Sequence, residues 1–147
     1  MARRLVDGFR AAGALVVPVV AVRSKPGQAL EPGDPDQLPV PEVGTRPDDP
    51  LIVKHTWGAF HETPLEEVLR SRAVDTIVLA GIATNMGVES TARAADERDY
   101  RLVLVEDAMS GLAAHEHEFA VASIFPRLGT VTSSAAVLAA LDPRGRR

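Results

Sequence analysis

Three features of the sequence could carry chemistry: a lysine closing an apolar run, an aromatic turn directly after it, and a glycine-bounded junction further along the chain. Lys54 ends Leu51-Ile-Val-Lys54, a short run that reads as a strand delivering the ammonium to its C-terminal end. A lysine held among apolar groups loses hydration, which lowers its pKa and suits it to donate a hydrogen bond, act as an acid or stabilise negative charge. A solvated lysine at a strand end is the competing reading. Trp57, the single tryptophan, and Phe60 follow in the same turn and could wall an apolar pocket, or pack in the core or against another subunit. In Gly81-Ile-Ala-Thr-Asn-Met-Gly87, the second glycine falls in the first turn of the expected helix. Unpaired backbone N–H groups and the positive end of the helix dipole favour an anion there, and the missing Cβ admits a ligand to the backbone. The place could hold a substrate carboxylate or a developing oxyanion. It could equally be a glycine that lets helix and sheet pack closely beside Ala92, Ala94 and Ala95.

Other chemistries find little support. The chain has no cysteine, which excludes disulfides, thiolate metal sites and a cysteine nucleophile. His55 and His61 are six apart in an expected loop, and His115 and His117 are two apart on an expected helix, so neither pair presents a metal face. Glycines six apart at Gly81 and Gly87 fit neither the dinucleotide nor the phosphate-loop pattern. A net charge of −4 gives no case for nucleic acid or an anionic membrane surface. No apolar run approaches the ~20 residues that span a bilayer, and the start lacks a signal-peptide pattern, so a cytoplasmic location is expected.

The elements that must position these residues alternate. An amphipathic helix is expected over Arg3 to Ala12, stopped by Gly13, then a doubly buried strand over Val16 to Val22 with Pro18 near its start. Arg23 to Pro50 is a long proline-rich loop, a lid, a subunit-contact arm or a solvated excursion. Thr63-Pro-Leu-Glu66 predicts a capping-box start for a helix over Pro64 to Ser71. Thr76 to Ala80 and Arg101 to Val105 read as strands, the second ending at Glu106-Asp107. His115 to Phe125 reads as a helix turning Phe119, Ala122 and Ser123 to the core. Gly129 to Thr132 is a last strand, and Ser133 or Ser134 caps a helix over Ala135 to Leu141. The alternation predicts one α/β domain over 1–142, with a mostly parallel sheet covered on both faces, and 143–147 as a frayed basic tail.

Taken together, Ile52 to Phe60, Thr63-Pro-Leu65, Leu79 to Ala95 and Val105-Glu-Asp-Ala108 resemble the isochorismatase-like hydrolases, which include nicotinamidases and N-carbamoylsarcosine amidohydrolases. The likeness runs from about Leu5 to Leu141 and implies a three-layer, Rossmann-like fold. The family's catalytic set is an aspartate ending the first strand, a lysine after a later strand and a cysteine at the next strand–helix junction. Lys54 matches the lysine. Gly87 stands in the cysteine's place, as in isochorismatases proper, which implies acid–base cleavage of a vinyl ether rather than thiolate attack. No residue matches the aspartate, whose strand would precede the first helix; Asp7 lies within that helix and is no substitute. That strand is central in the family's sheet, so a chain lacking it leaves two neighbours unpaired.

The resemblance further implies a non-proline cis peptide near Ile82-Ala83 and a homo-oligomer, dimer or tetramer, joined through the Trp57 to His61 loop and the proline-rich loop. Zinc-binding members use histidines in the loop after the second strand; Arg23 to Pro50 has none, so no metal and no cofactor are expected. Lys54 and Gly87 are then the catalytic positions, with Trp57, Phe60, Ile82, Ala83, Thr84 and Met86 contacting a small-molecule substrate. The expected function is hydrolysis of a small carboxylated metabolite. A binding or oligomeric structural protein that has lost the chemistry is the alternative.

Overall fold

The protein is described from a computed structural model over residues 1–22 and 38–142. The first part of the proline-rich loop, 23–37, with its lid, contact-arm or solvated-excursion readings, and the basic tail, 143–147, lie outside those residues. Among the described residues, five parallel strands form two sheets. In the first, β1 (Val19–Ala21) pairs with β2 (Ile52–Lys54), Ala21 opposite Lys54. In the second, β4 (Arg101–Ser110) lies between β3 (Thr76–Ile82) and β5 (Thr130–Thr132).

Alternation along β4 sorts the core into two layers. Leu102 and Leu104 face one cluster, built with Leu65 and Leu69 of α2 (Leu65–Ser71), Ala92 and Ala95 of α3 (Glu89–Asp96), and Ala120 and Phe125 beyond α4 (Ala114–Phe119). Val103 and Val105 face the other, with Leu5 and Phe9 of α1 (Ala2–Ala11) and Val137, Leu138 and Leu141 of α5 (Ser134–Leu141). Helices thus cover both faces, as the alternating pattern predicts.

Several boundaries move for identifiable reasons. β1 is shorter than the apolar run from Val16, because Pro18 offers only its carbonyl to the ladder, accepting Ile52 N–H at 2.9 Å. The strand expected to end at Glu106-Asp107 continues to Ser110, and the Asp107 side chain accepts Ser134 N–H and Oγ–H, both at 2.6 Å. Those bonds, the side-chain one foremost, hold the Asp107 carboxyl below its ordinary range against the opposing effect of burial. Ser133 caps α5, accepting Ala136 N–H at 3.3 Å. Thr63 accepts Leu65 N–H at 3.3 Å, but Glu66 does not complete the capping box; its carboxylate pairs with Arg98 at 2.8 Å and Arg70 at 3.3 Å.

The expectation for Phe119 and Ala122 is wrong. Phe119 is 61% exposed and Ala122 is exposed too, while Ala120 and Phe125 are buried. After Phe119 the helix widens into a π-helical turn, Ala120–Ile124, and the extra residue rotates a different set of side chains inward. Within the remainder of the proline-rich loop, Arg10 of α1 donates to Gly44 O at 2.6 Å and pairs with Asp49, fastening 44–49 to the end of that helix.

Candidate active site

Burial alternates along β2, so Ile52 and Lys54 point inward and Val53 outward. Lys54 is only 8% exposed, and its ammonium donates to the Trp57 carbonyl, which folds the following turn back over it. His55 Nδ1 lies 3.0 Å from Val22 O, tying this turn to the end of β1.

The junction after β3 supplies the other half. Gly81 has φ +132°, a backbone region that side chains with a Cβ rarely adopt, and the Ile82–Ala83 peptide is cis, as the resemblance implies. A π-helical turn, Thr84–Val88, then leads into α3. Gly87 therefore sits ahead of α3 rather than in its first turn. A Cβ built on Gly87 would stand 2.9 Å from Lys54 Nζ and 3.4 Å from Trp57 O. The ammonium, that carbonyl and the glycine backbone thus converge, and the empty Cβ position is what admits the lysine.

Thr91, which sequence reasoning passes over, bridges the two halves. Its hydroxyl donates to Gly87 O at 2.7 Å and accepts Ala59 N–H at 3.0 Å. The threonine falls four residues after Gly87, one helical turn on, and only that spacing could have flagged it.

The remaining sequence-predicted positions divide. Trp57 is 45% exposed beside Lys54. Phe60 is not a pocket wall: it is 6% exposed, with its ring 5.9 Å from Tyr100 and the Arg98 guanidinium 4.9 Å over it, so it supports the turn from the core. Ile82 is 78% exposed and Ala83 half-buried. Met86 N–H already donates to Ala83 O at 3.1 Å, within the turn itself. Thr84 is fully buried, its hydroxyl 2.8 Å from Nδ1 of His117 on α4. Asp7 lies on α1 in an ion pair with Arg3 at 3.1 Å. Asp75, held below the ordinary carboxyl range by Thr76 and then Arg101, precedes β3 at the end opposite Gly87. Among the described residues no cluster of histidines and carboxylates is arranged to hold a metal ion.

A cleft of about 380 Å³ opens between Gly13–Leu15, which lead into β1, and Arg72–Thr76, which lead into β3. It lies at the other end of the strands from Lys54 and Gly87.

The sequence profile of the isochorismatase domain matches residues 1–136. An uncharacterised isochorismatase family protein of Bacillus subtilis, YwoC, is 41% identical over 141 residues, 87% of this chain and 75% of that protein. The ureidoacrylate amidohydrolase RutB of Methylobacterium radiotolerans is 36% identical over 120 residues, 81% of this chain but 46% of its own length. Among solved structures, an isochorismatase family protein from Burkholderia thailandensis superimposes with a TM-score of 0.84 at 40% identity, over 95% of this chain and 80% of that one. N-carbamoylsarcosine amidase from Thermoplasma acidophilum gives 0.77 at 28%, over 90% and 80%.

Proposed function

The chain belongs to the isochorismatase family, and from that premise we propose that Lys54 and Gly87 form a hydrolase site working on a small carboxylated metabolite by acid–base chemistry. One observation carries the reading: Lys54 Nζ occupies the space a Gly87 side chain would need, 2.9 Å from its Cβ position. An ammonium beside a glycine backbone suits a carboxylate or a developing negative charge, and Gly87 itself brings no nucleophilic side chain.

For a vinyl ether, a proton goes to the vinyl carbon, water adds to the resulting oxocarbenium carbon, and the hemiketal breaks into a carbonyl compound and an alcohol. Lys54 would orient the carboxylate or supply the proton, Gly87 N–H would hold negative charge, and Trp57 would shield one side. RutB and N-carbamoylsarcosine amidase are named for ureido and carbamoyl substrates, so carboxylated ureides are the competing class; Gly87 disfavours them by removing the thiolate. No metal takes part in this reading, and a homo-oligomer in the cytoplasm is its setting.

The carboxylate that would complete the site belongs, in this reading, to a further parallel strand between β1 and β3. The separation of the two sheets and the cleft between the approaches to β1 and β3 support such a strand. It would pair with both free edges and lead into α1. The same separation favours a second reading, a binding protein without turnover.

The test is a panel of carboxylated vinyl ethers, isochorismate included, and carboxylated ureides, presented to the protein as it stands and to a form carrying any strand-forming segment that its gene encodes upstream. Ether cleavage that falls about 10²–10⁴-fold in Lys54→Ala supports the acid–base reading. Ureide cleavage, or turnover indifferent to Lys54→Ala, contradicts it; binding of the acids without turnover in either form favours the second reading.

A further inference from the structure

We propose that His117 is a positioning residue for the Gly87 turn, acting through Thr84. The turn Thr84–Val88 is π-helical and so lacks the regular ladder that stiffens an α-helix. Its first residue, Thr84, is fully buried, and a buried hydroxyl without a partner carries the full cost of lost hydration. The partner is Nδ1 of His117 at 2.8 Å, reaching across from α4 thirty-three residues later. At the other end of the turn, Gly87 O receives Thr91 Oγ–H at 2.7 Å. Both ends are thus tied by side-chain hydroxyls, and the Thr84 tie runs to another element.

The sequence around His117 is arranged to place that ring. β4 ends at Ser110, and Gly111 follows where a Cβ would stand 3.0 Å from Ala113 O, 3.2 Å from His117 N and 3.3 Å from His117 Cβ. A side chain there would have to push the start of α4 back by a few tenths of an ångström. Glu116 accepts Ala113 N–H at 3.2 Å and fixes the first turn of the helix. A chain of contacts therefore runs from the end of β4 through Gly111 and His117 to Thr84, and so to the amide of Gly87. The bond holds in either direction, Nδ1 accepting the Thr84 hydroxyl proton or an Nδ1–H donating to the Thr84 oxygen.

This role rests on the functional reading only in treating the turn as the anion site, and its test needs no substrate. In ¹⁵N-labelled protein, the His117 ring shifts should report one fixed tautomer; averaging between tautomers overturns the proposal without any variant. His117→Ala and Thr84→Val should each move the Gly87 amide resonance and speed its hydrogen exchange at least about tenfold, with α5 amides unchanged. His117→Asn, whose amide can reach where Nδ1 lies, should restore both. An unmoved Gly87 resonance, equal acceleration in α5, or no rescue by asparagine overturns it. A protein that cleaves none of the acids but passes these tests would fail the functional reading and keep the anchor.

Discussion

In the three-stranded sheet β4 is flanked by β3 and β5 and covered by helices on both faces, whereas β1 and β2 are three residues each and leave Val19 and Val53 exposed. A two-stranded unit this short has little stability of its own. It is held by what its ends attach to: Ile52, Ala59 and Phe60 enter the main core, and Thr91 hydrogen-bonds Ala59. The larger sheet is therefore a scaffold, and the smaller one a presenter of a single side chain. Their meeting point is Lys54 against Gly87, so the site depends on the attachment between sheets more than on either sheet.

That contrast can be broken from several directions. Leu104→Ala, at the fully buried middle of β4, should cost about 2–5 kcal/mol in denaturant unfolding, while Val53→Ala on the small sheet should stay within about 0.5 kcal/mol. Equal losses would mean the two sheets share one core more evenly than their burial shows. Arg10→Ala releases Gly44 O and Asp49 from α1 and should cost about 1–3 kcal/mol, leaving the Asp49 carboxylate with the Arg46 N–H but no cation. Thr91→Val removes the bridge between sheets at nearly constant volume. A loss of about 1–2 kcal/mol, with Thr91→Ser close to the native value, is expected from the same unfolding curves.

The smallest effect belongs to the contact between β4 and the start of α5. Asp107 has a native pKa below its ordinary 3.8 because Ser134 hydrogen-bonds the ionised form. Between the lowered native value and the unfolded one, the unfolded chain binds more protons. The contribution is thus complete above about pH 4–5 and lost as pH falls through the native pKa. Asp107→Asn should lower Tm slightly at pH 6, and the gap should narrow as pH falls below the ordinary 3.8. A gap independent of pH would remove the charge from the explanation.

Local patterns made much of this legible. The alternation of runs predicted both helix layers, Pro18 marked the start of β1, Ser133 capped α5, and Lys54 fell at a strand end. What stayed hidden depends on partners distant in sequence. Phe60 has the composition of a pocket wall, and only Tyr100 and Arg98, brought up by other elements, make it core. His117 looks like an idle surface histidine until α4 lies across Thr84. Phe119 was misplaced because periodicity assumes an unbroken α-helix, and one π-helical turn shifts the phase.

The contact between Lys54 and Gly87 is tested most directly by a double-mutant cycle on the hydrolysis rate, with Lys54→Ala, Gly87→Ala and the pair. A methyl at position 87 must push the ammonium aside, so Gly87→Ala should cost about tenfold in the native background and nearly nothing once Lys54 is alanine. Equal costs in both backgrounds would show that the glycine and the lysine act separately, and that the two sheets do not build one site.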